Sequence, residues 1–571
     1  MDFKSGIIDS SFRHKKYSIL EDRYFEKDYF RLKLYKNSKA GFQIINQSNE
    51  EFLLLVDRFN EISYKGLINR VRIDVKSDIG NIKPNVRLLG YTKTDSNEIV
   101  ADPIINDLSV IVKKDIAQMV YVDFEIPKDI SEEKLRLKID FYHTKGYEDE
   151  EIIKSMDVIV DIKDYVLEDL NKSDFFLDLW QHPTSWARMY NVRLFSDEHF
   201  TIIDNYLKEL ASLGQKVVTI IASDYSWAGQ DCYNVSDNAS NLFELNMIKV
   251  YKDENNKLIC DFSNIDRYIK IAFKYGIDKE IDLFGLLCNW DRRGFKTPIK
   301  DYEDPIRINY YDKKDDKFKY IDNKDMLKEY IKQVLKYFKD NNYQDKLRIM
   351  TDEPNDILQF KKWSEFLDSL CDYKLRYKSA IHDQDFMDNL DDKITDISFN
   401  ACLSVKANLK IEDYKNLINK KDGVLTWFVC CFPKRPNNFI SSPPLESRLI
   451  GWFSYYFGFD GFLRWDYAIW PTNPFENPSY KFPRWKAGDM FFVYPGKNLK
   501  PVSSLRLENL RYGIQDYLIL KKLQDDIGKE NLYQKLEKLL SKKQSMTYDI
   551  KSSDVNIDYS LDYDEYMDII S

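Results

Sequence analysis

Two kinds of apolar segment alternate over roughly the last two thirds of the chain, and this alternation restricts the fold more than any other feature. Short apolar runs such as FFLDLW, KVVTII and KLRIM are each followed by a longer segment with the period of a helix. Eight such runs are interleaved with helical segments between about residues 175 and 525. This order predicts a parallel (β/α)8 barrel of the TIM type. The alternative is an open doubly wound sheet, which usually begins with a Gly-rich turn that we do not find.

The N-terminal part has a different pattern. Extended runs such as GFQIINQ, QMVYVDFEIPKD and KLRLKIDFYHTKG are separated by polar, Gly, Pro or Asp clusters, and several alternate with period two. About seven such runs predict an antiparallel β-sandwich. All 10 tryptophans lie at or after Trp180, which supports a boundary near residues 165 to 175. We therefore predict a β-sandwich over residues 1–168, a barrel over 169–530 and a C-terminal appendage over 531–571.

Composition excludes two classes of partner. The net charge of −9 and the mixing of both signs along the chain argue against a general nucleic-acid binder. No segment approaches the roughly 18 to 20 consecutive apolar residues that span a bilayer, so we expect no membrane partner. The sequence gives no indication of the oligomeric state.

Cysteine usage and the N-terminus suggest a compartment. The 7 cysteines are odd in number and scattered, which is typical of reduced thiols. Cys430 and Cys431 are adjacent, and neighbours in a strand point to opposite faces, so we interpret both as core thiols. The start MDFKSGIIDSSFRHKK lacks the apolar segment of a signal peptide. We predict a cytoplasmic protein, with a secreted protein lacking its leader as the alternative.

The predicted strand ends collect indoles, carboxylates, amides and imidazoles. Chemistry in such barrels sits at the C-terminal ends of the strands. Sugars bind to this mixture of groups, because their C–H faces stack on aromatic rings and their hydroxyls need donors and acceptors. We predict a carbohydrate site, although each aromatic alone could be core packing and each histidine could be structural. The predicted substrate-binding residues are His182, Asn289, Trp290, Trp427, Trp465, Asp466 and Trp470. With no HExxH or CxxC motif and only 5 histidines, we predict neither metal nor cofactor.

The stretch RIMTDEP places Asp352 and Glu353 side by side where a strand is about to end. Most glycosidases hold two carboxyl groups on opposite sides of the scissile bond, about 5 to 9.5 Å apart. Adjacent residues cannot easily do this, because their Cα atoms are only about 3.8 Å apart. They can serve a sugar that carries its own nucleophile, a 2-acetamido group, with Glu353 as acid/base and Asp352 orienting the acetamido group. The competing interpretation is that these acids cap the following helix.

Four motifs resemble glycoside hydrolase family 123: TDEP, GFDGFLRWDYAIWPTNPFENP, GDMFFVYPG and SSLRLENLRYGIQDYLIL. The resemblance extends from the predicted sandwich to about residue 525. It implies a retaining β-N-acetylgalactosaminidase that works through an oxazoline intermediate, with Asp352 as acetamido stabiliser and Glu353 as acid/base. The implied partner is an oligosaccharide ending in β-linked GalNAc, from a glycan or a glycosphingolipid. No metal or organic cofactor is implied.

Two alternatives stay open at this point. A β-N-acetylglucosaminidase or mixed hexosaminidase would use the same mechanism, since selectivity at O4 depends on one or two hydrogen bonds. A carbohydrate-binding protein without catalytic activity would use the same scaffold, since a fold does not determine a function.

Overall fold

The computed structural model describes residues 1–58, 69–226, 243–289, 297–354, 356–479, 485–549, 551–552 and 554–570. Its N-terminal part consists mainly of strands. These strands are β1 (Phe3–Asp9), β2 (Tyr29–Lys36), β3 (Ser38–Ser48), β4 (Phe52–Leu55), β5 (Asn69–Ser77), β6 (Asn85–Lys93), β7 (Ile99–Ile105), β8 (Ser109–Val112), β9 (Gln118–Ile126), β10 (Lys134–Lys145) and β11 (Glu151–Val166).

The N-terminal strands form two sheets, in the orders β1-β3-β9-β6-β7 and β2-β11-β10-β5-β4-β8. Most neighbours are antiparallel, as predicted, but β2 with β11 and β4 with β5 are parallel, so the second sheet is mixed. Phe42 and Val122 of the first sheet belong to the same buried cluster as Leu137 and Val158 of the second. The apolar alternation along these strands thus supplies one core that both sheets share.

The following part contains the barrel strands and several short hairpin strands. In chain order they are β12 (Phe176–Leu179), β13 (Val217–Ile221), β14 (Tyr225–Ser226), β15 (Phe243–Glu244), β16 (Lys249–Lys252), β17 (Leu258–Asp261), β18 (Glu280–Phe284), β19 (Asn309–Asp312), β20 (Lys317–Tyr320), β21 (Leu347–Asp352), β22 (Tyr377–Ile381), β23 (Ile394–Asn400), β24 (Leu425–Phe428), β25 (Gly461–Arg464), β26 (Tyr494–Pro495), β27 (Pro501–Val502), β28 (Thr547–Asp549) and β29 (Asp554–Asn556).

Eight of these strands form one parallel sheet in the order β12-β25-β24-β23-β22-β21-β18-β13. An isolated parallel bridge between Leu177 and Gln215 joins its two edges. The sheet therefore curls into a TIM-like near-barrel rather than the open doubly wound alternative. Its core is separate from that of the two N-terminal sheets.

Helices follow most of the barrel strands. They are α1 (Pro183–Tyr190), α2 (Asp197–Ser212), α3 (Ser263–Lys274), α4 (Lys324–Asp340), α5 (Ile357–Asp368), α6 (Gln384–Asp388), α7 (Ala401–Ala407), α8 (Ile411–Asn419), α9 (Pro444–Phe457), α10 (Leu505–Ile527), α11 (Lys529–Leu536) and α12 (Tyr563–Ile570). Within the described part of the chain, no helix combines the length and apolar character that crossing a membrane requires.

A buried ionic cluster lies inside the lower half of the barrel. The Lys378 ammonium lies 2.6 Å from Asp178, 2.6 Å from Glu280 and 2.9 Å from Asp282, and all four side chains are at most 3% exposed. The acids come from β12 and β18, whereas Lys378 belongs to β22. Burial and the neighbouring acids raise the pKa of Asp282 well above its usual value, which limits the negative charge around this single ammonium.

A second cation extends the cluster to two further strands. Arg348 of β21 donates from Nε to Asp396 of β23 at 2.6 Å and lies 3.6 Å from Glu280. Five strands distant in sequence therefore share one network of charges. Buried charges are tolerated only when they are paired, so this network depends on the strands being arranged around a common axis.

The C-terminal residues pack against both other parts of the chain. Tyr566 is fully buried and makes an edge contact with Trp452 of α9. The Tyr35 hydroxyl of β2 donates to the Ile570 carbonyl at 3.0 Å, and the Tyr559 hydroxyl donates to Glu446 at 2.7 Å. The predicted C-terminal appendage therefore packs on the rest of the chain, because its Tyr-rich sequence supplies apolar rings together with hydrogen-bonding tips.

Replacing the ammonium at the centre of the cluster should be strongly destabilising. We expect Lys378→Met to lower the free energy of unfolding by about 3–5 kcal/mol, because it leaves buried acids without their counter-charge. Urea denaturation measures this change. Lys336→Met, which removes an exposed pair with Asp340 on α4, is the control and should have little effect. Equal losses in both variants would contradict a supporting role for the cluster.

Candidate active site

Alternation along β21 directs Asp352 into the barrel. Arg348 contacts acids of β18 and β23 across the lumen, so it lies on the inner face of the strand. Side chains two and four positions further along a strand lie on the same face. Met350 and Asp352 are therefore also on the inner face, and Asp352 is the last residue of the strand. Its carboxyl group lies at the C-terminal end of the lumen, where barrel enzymes carry out their chemistry.

A break in the backbone changes the direction of Glu353. Its amide still donates to the Ala380 carbonyl of β22 at 3.0 Å, but its φ is +48°. In a continued strand this side chain would point to the outer face. The left-handed conformation ends the alternation at this residue, and it is strained for any residue other than glycine. The Glu353 side chain remains 22% exposed, so its carboxyl group is accessible.

Tyr225 lies within electrostatic range of both carboxyl groups. This tyrosine lies in β14, just after the second barrel strand, and is buried. Burial raises the pKa of its phenol well above the usual value, and the negative charges of Asp352 and Glu353 both add to the shift. Both carboxylates therefore lie near one phenol. Because the phenol stays protonated, it is a hydrogen-bond donor at this position.

Aromatic rings extend from Tyr225 into the lumen. Its ring packs against Phe284 with centroids 6.0 Å apart, and Phe284 packs edge-on against Trp180 at 4.8 Å. Phe284 shares the inner face of β18 with Glu280 and Asp282. An apolar aromatic layer thus separates the ionic cluster from the acid pair. Sequence reasoning missed Tyr225, Trp180 and Phe284 as site residues, although Trp180 and Phe284 continue the inner-face alternation of their strands.

A histidine faces the second acid. His382 follows β22, and its Nδ1 lies 3.6 Å from Glu353 Oε2. From the sequence alone, His382 was not paired with Glu353. The pairing follows from the order of the sheet, because β21 and β22 are neighbours. An imidazole at this distance can influence both the position and the protonation of the carboxyl group.

Helix capping is carried out by a different acid. Asp356 is the N-cap of α5, and its carboxylate accepts hydrogen bonds from the amides of Leu358 at 2.9 Å and Gln359 at 3.0 Å. The start of this helix therefore does not require Asp352 or Glu353. The capping interpretation of the DE pair loses its main support.

Three of the predicted substrate-binding residues lie near the rim but are buried. His182 donates from Nε2 to the Trp465 carbonyl at 2.9 Å, and burial lowers its pKa to about 3, so the ring is neutral. Burial also raises the pKa of Asp466 well above its usual range. Trp465 packs against Trp485, with centroids 5.5 Å apart and planes at 38°. The hydrogen bond from His182 to the Trp465 backbone joins the ends of β12 and β25, so these buried residues form one wall of the barrel.

Asn289 is partly exposed and belongs to the loop after β18. Its Nδ2 donates to the Gly285 carbonyl at 3.0 Å and its backbone amide donates to Asp304 at 2.9 Å. Burial raises the pKa of Asp304 to about 7. Its neighbour Trp290, also predicted to bind substrate, lies outside the described residues.

Two predicted tryptophans are core residues, and the sequence prediction for them needs correction. The Trp427 indole donates to Ser454 Oγ of α9 at 2.8 Å, so it points outward between sheet and helix. The Trp470 indole is fully buried and donates to the Val493 carbonyl at 2.7 Å. Strand alternation explains the position of Trp427, because every second residue of a barrel strand faces the lumen and Trp427 is one of the residues between them.

Metal chemistry has no evident ligand set here. Among the residues that the structure describes, no three His, Cys, Asp or Glu side chains are arranged to hold a metal ion. The groups described at this end of the barrel are two carboxyl groups, a phenol and an imidazole. This combination defines a general acid–base site of the kind found in glycosidases.

Comparison with known proteins identifies the family. The profile of the glycoside hydrolase 123 catalytic domain matches residues 180–523, more than half of the chain. The chain therefore belongs to glycoside hydrolase family 123, and it is a glycoside hydrolase, as its motifs predicted. A search of curated proteins finds no match.

Solved structures support the fold. A family 123 glycoside hydrolase from Clostridium perfringens, studied for glycolipid glycan hydrolysis, has a TM-score of 0.73 and 19% identity, over 100% of this chain and 96% of that chain. A Bacteroides vulgatus protein provisionally named a glycoside hydrolase is 9% identical over 87% of this chain and 79% of that chain. Its TM-score of 0.31 is too low to support an argument.

Backbone strain at Glu353 can be measured apart from its carboxyl group. Both Glu353→Gly and Glu353→Ala remove the carboxylate, but only glycine adopts a positive φ without cost. We expect the glycine variant to be more stable than the alanine variant by about 1 kcal/mol in urea denaturation. At exposed Lys361 in α5, the same two substitutions should rank in the opposite order. The same rank at both positions would contradict the left-handed conformation.

Proposed function

We propose that this chain is a retaining exo-β-N-acetylgalactosaminidase that uses the 2-acetamido group of its substrate as the nucleophile. The observation that carries the proposal is the position of adjacent Asp352 and Glu353 at the C-terminal end of β21, where the strand alternation breaks, with both charges acting on the Tyr225 phenol. Membership of family 123 supports the class of reaction.

Adjacency of the two acids favours this mechanism over a double displacement at the enzyme. An enzyme nucleophile must approach the anomeric carbon from the face opposite the leaving group, with the two carboxyls about 5 to 5.5 Å apart. Two neighbouring residues that face the same phenol are poorly placed to act from opposite faces. If the acetamido oxygen attacks C1, both acids can act from one side of the lumen.

Glu353 is proposed as the general acid and base. It protonates the departing glycosidic oxygen while the acetamido oxygen forms its bond to C1, and it later removes a proton from the water that opens the oxazoline. Its partial exposure allows access to the leaving group and to water.

Asp352 is proposed to accept the acetamido N–H and to stabilise the positive charge of the cyclising group. It is only 8% exposed, and in such surroundings a fixed carboxylate interacts more strongly with a developing cation than it would in water. Tyr225, with its protonated phenol, is proposed to hold the acid pair in place.

The proposed substrate is a glycan or glycosphingolipid oligosaccharide that ends in β-linked GalNAc. The Clostridium perfringens relative, studied for glycolipid glycan hydrolysis, supports this class of substrate. We propose that Trp465 and its partner Trp485 offer an apolar wall to the sugar, that Asn289 contributes to the rim, and that buried His182 and Asp466 support this wall. A substrate contact by Trp290 stays a prediction. No metal or organic cofactor enters the proposed reaction, and a cytoplasmic location stays a prediction.

Paired aryl glycosides test the sugar and an inhibitor tests the mechanism. We expect hydrolysis of aryl β-GalNAc to exceed that of aryl β-GlcNAc in kcat/KM, and strong inhibition by a thiazoline that mimics the cyclised sugar. A higher kcat/KM on the GlcNAc glycoside would show that the enzyme is a β-N-acetylglucosaminidase instead. Binding of both without turnover would indicate a carbohydrate-binding protein, and a trapped glycosyl ester on the chain would overturn the mechanism.

The two acids should differ in their response to the leaving group. We expect Glu353→Gln to reduce kcat about 10²–10⁴-fold on a natural glycan but much less on an aryl glycoside, whose leaving group needs little protonation. Asp352→Asn should reduce kcat on both substrates. Asp356→Asn is the matched control, because it removes a nearby charge while asparagine still caps α5. Wild-type rates in both site variants would refute the assigned roles.

A further inference from the structure

Adjacent cysteines lie on the same rim as the acid pair. Cys430 and Cys431 follow β24, whose last residue is Phe428, so they lie beyond the strand. Strand alternation was expected to point them to opposite faces, and this prediction is wrong. Their Sγ atoms are only 4.0 Å apart. Both are free thiols, Cys430 buried and Cys431 exposed.

The rest of the rim connects this pair to Glu353. Asn400, the last residue of β23, donates from Nδ2 toward Cys430 Sγ at 3.7 Å. The Cys430 thiol is also close enough to Glu353 for that acid's negative charge to act on it. Glu353, His382, Asn400 and Cys430 thus follow four consecutive barrel strands, β21 to β24. A change at Cys430 occurs beside the proposed acid/base.

The backbone of the pair is also hydrogen-bonded to the neighbouring part of the rim, at the end of β25. The Cys430 carbonyl accepts from Asn437 Nδ2 at 2.9 Å, and Asn437 Oδ1 accepts from Arg464 Nη1 at 3.1 Å. Arg464 in turn donates to Asp489 at 2.7 Å, and the Trp465 indole approaches the same carboxylate at 3.5 Å. Rotation of the Cys430–Cys431 segment would therefore disturb these hydrogen bonds and, through Asp489, the position of the Trp465 indole.

We infer that Cys430 and Cys431 are a dithiol modification site that closes to a vicinal disulfide on exchange with a low-molecular-weight disulfide such as oxidised glutathione, and that closure lowers hydrolysis at the adjacent acid pair. The effect on hydrolysis rests on the proposed function, whereas closure itself does not. A disulfide requires a sulfur separation of about 2.05 Å, so the pair must rotate and disturb the Asn400 and Asn437 contacts.

The exchange balances in two steps. The exposed Cys431, as its thiolate, attacks one sulfur of glutathione disulfide, which forms a mixed disulfide and releases one glutathione. Cys430 then loses its proton and attacks the Cys431 sulfur, which breaks the mixed disulfide; the second glutathione leaves as a thiolate and takes up a proton from solvent. The two protein thiols are oxidised by two electrons and the glutathione disulfide is reduced to two thiols. Contact with Cys431, together with burial, raises the pKa of Cys430 well above its usual value, so the first attack falls to the exposed Cys431.

Mass spectrometry of the wild-type chain tests closure without any assay of activity. After treatment with glutathione disulfide, we expect the peptide containing both cysteines to be lighter by two hydrogen atoms, and dithiothreitol to restore its mass. A peptide that keeps one glutathionyl group on Cys431, or stays unchanged, would overturn the inference. Because the wild-type chain is used, the result does not depend on the folding of a variant.

Kinetics of the same samples test the consequence. We expect closure to lower kcat/KM on the best aryl glycoside by about tenfold or more, and reduction to restore it. Cys431→Ser should keep the wild-type rate and become insensitive to oxidant, whereas Cys371→Ser, at a part-buried cysteine after α5, should stay sensitive. Closure with an unchanged rate would overturn the regulatory part. If even the reduced enzyme hydrolyses no glycoside, the proposed function fails. Mass spectrometry still shows in that case whether the disulfide between Cys430 and Cys431 forms.

Discussion

Pairing of the Lys378 ammonium with carboxylates from other strands is the interaction on which the geometry of this enzyme depends. The charges of β12, β18, β21, β22 and β23 neutralise one another only when all five strands surround one axis. The same network sets the register of β21. A slip of β21 by one residue would turn both Arg348 and Asp352 toward the helices. The position of the proposed acetamido stabiliser is thus determined four residues away from it, at the other end of the strand.

The rim above this network has two sides of different character. Glu353, His382, Asn400 and Cys430 form a polar arc after consecutive strands, whereas Trp180, Phe284 and Tyr225 form an apolar layer in the lumen. A sugar has the same division, with polar hydroxyls around its edge and apolar C–H groups on its faces. Between the two sides, the acid pair depends on a strained residue, since Glu353 adopts a positive φ. Strain of this kind is typical of functional positions and requires rigid surroundings.

Much of the fold and part of the site were readable from the sequence. Alternation of apolar runs with helical segments predicted the parallel sheet, and TDEP predicted the acid pair, because strand ends in such a barrel meet at one rim. Two kinds of information were not readable. Trp427 and Trp470 were assigned to the rim because they lie near strand ends. Whether such a residue faces the lumen depends on the alternation of its strand, which is known only once one inward-facing residue, such as Arg348 in β21, has been located. Cys430, Cys431 and Glu353 depart from strand alternation, and no local pattern in the sequence shows where a strand stops being regular.

Packing of the C-terminal helix has a consequence for how this chain is made. Tyr35 in the second strand bonds to the carbonyl of Ile570, a residue 535 positions later. At a typical synthesis rate of about 5–20 residues per second, the partner emerges from the ribosome roughly half a minute to two minutes after Tyr35. Until then the edge strand β2 lacks its final neighbour and presents apolar surface to other chains. During this interval all strands of the N-terminal sheets have been synthesised, but the C-terminal helix that packs against β2 has not. Chaperones would matter most in this interval.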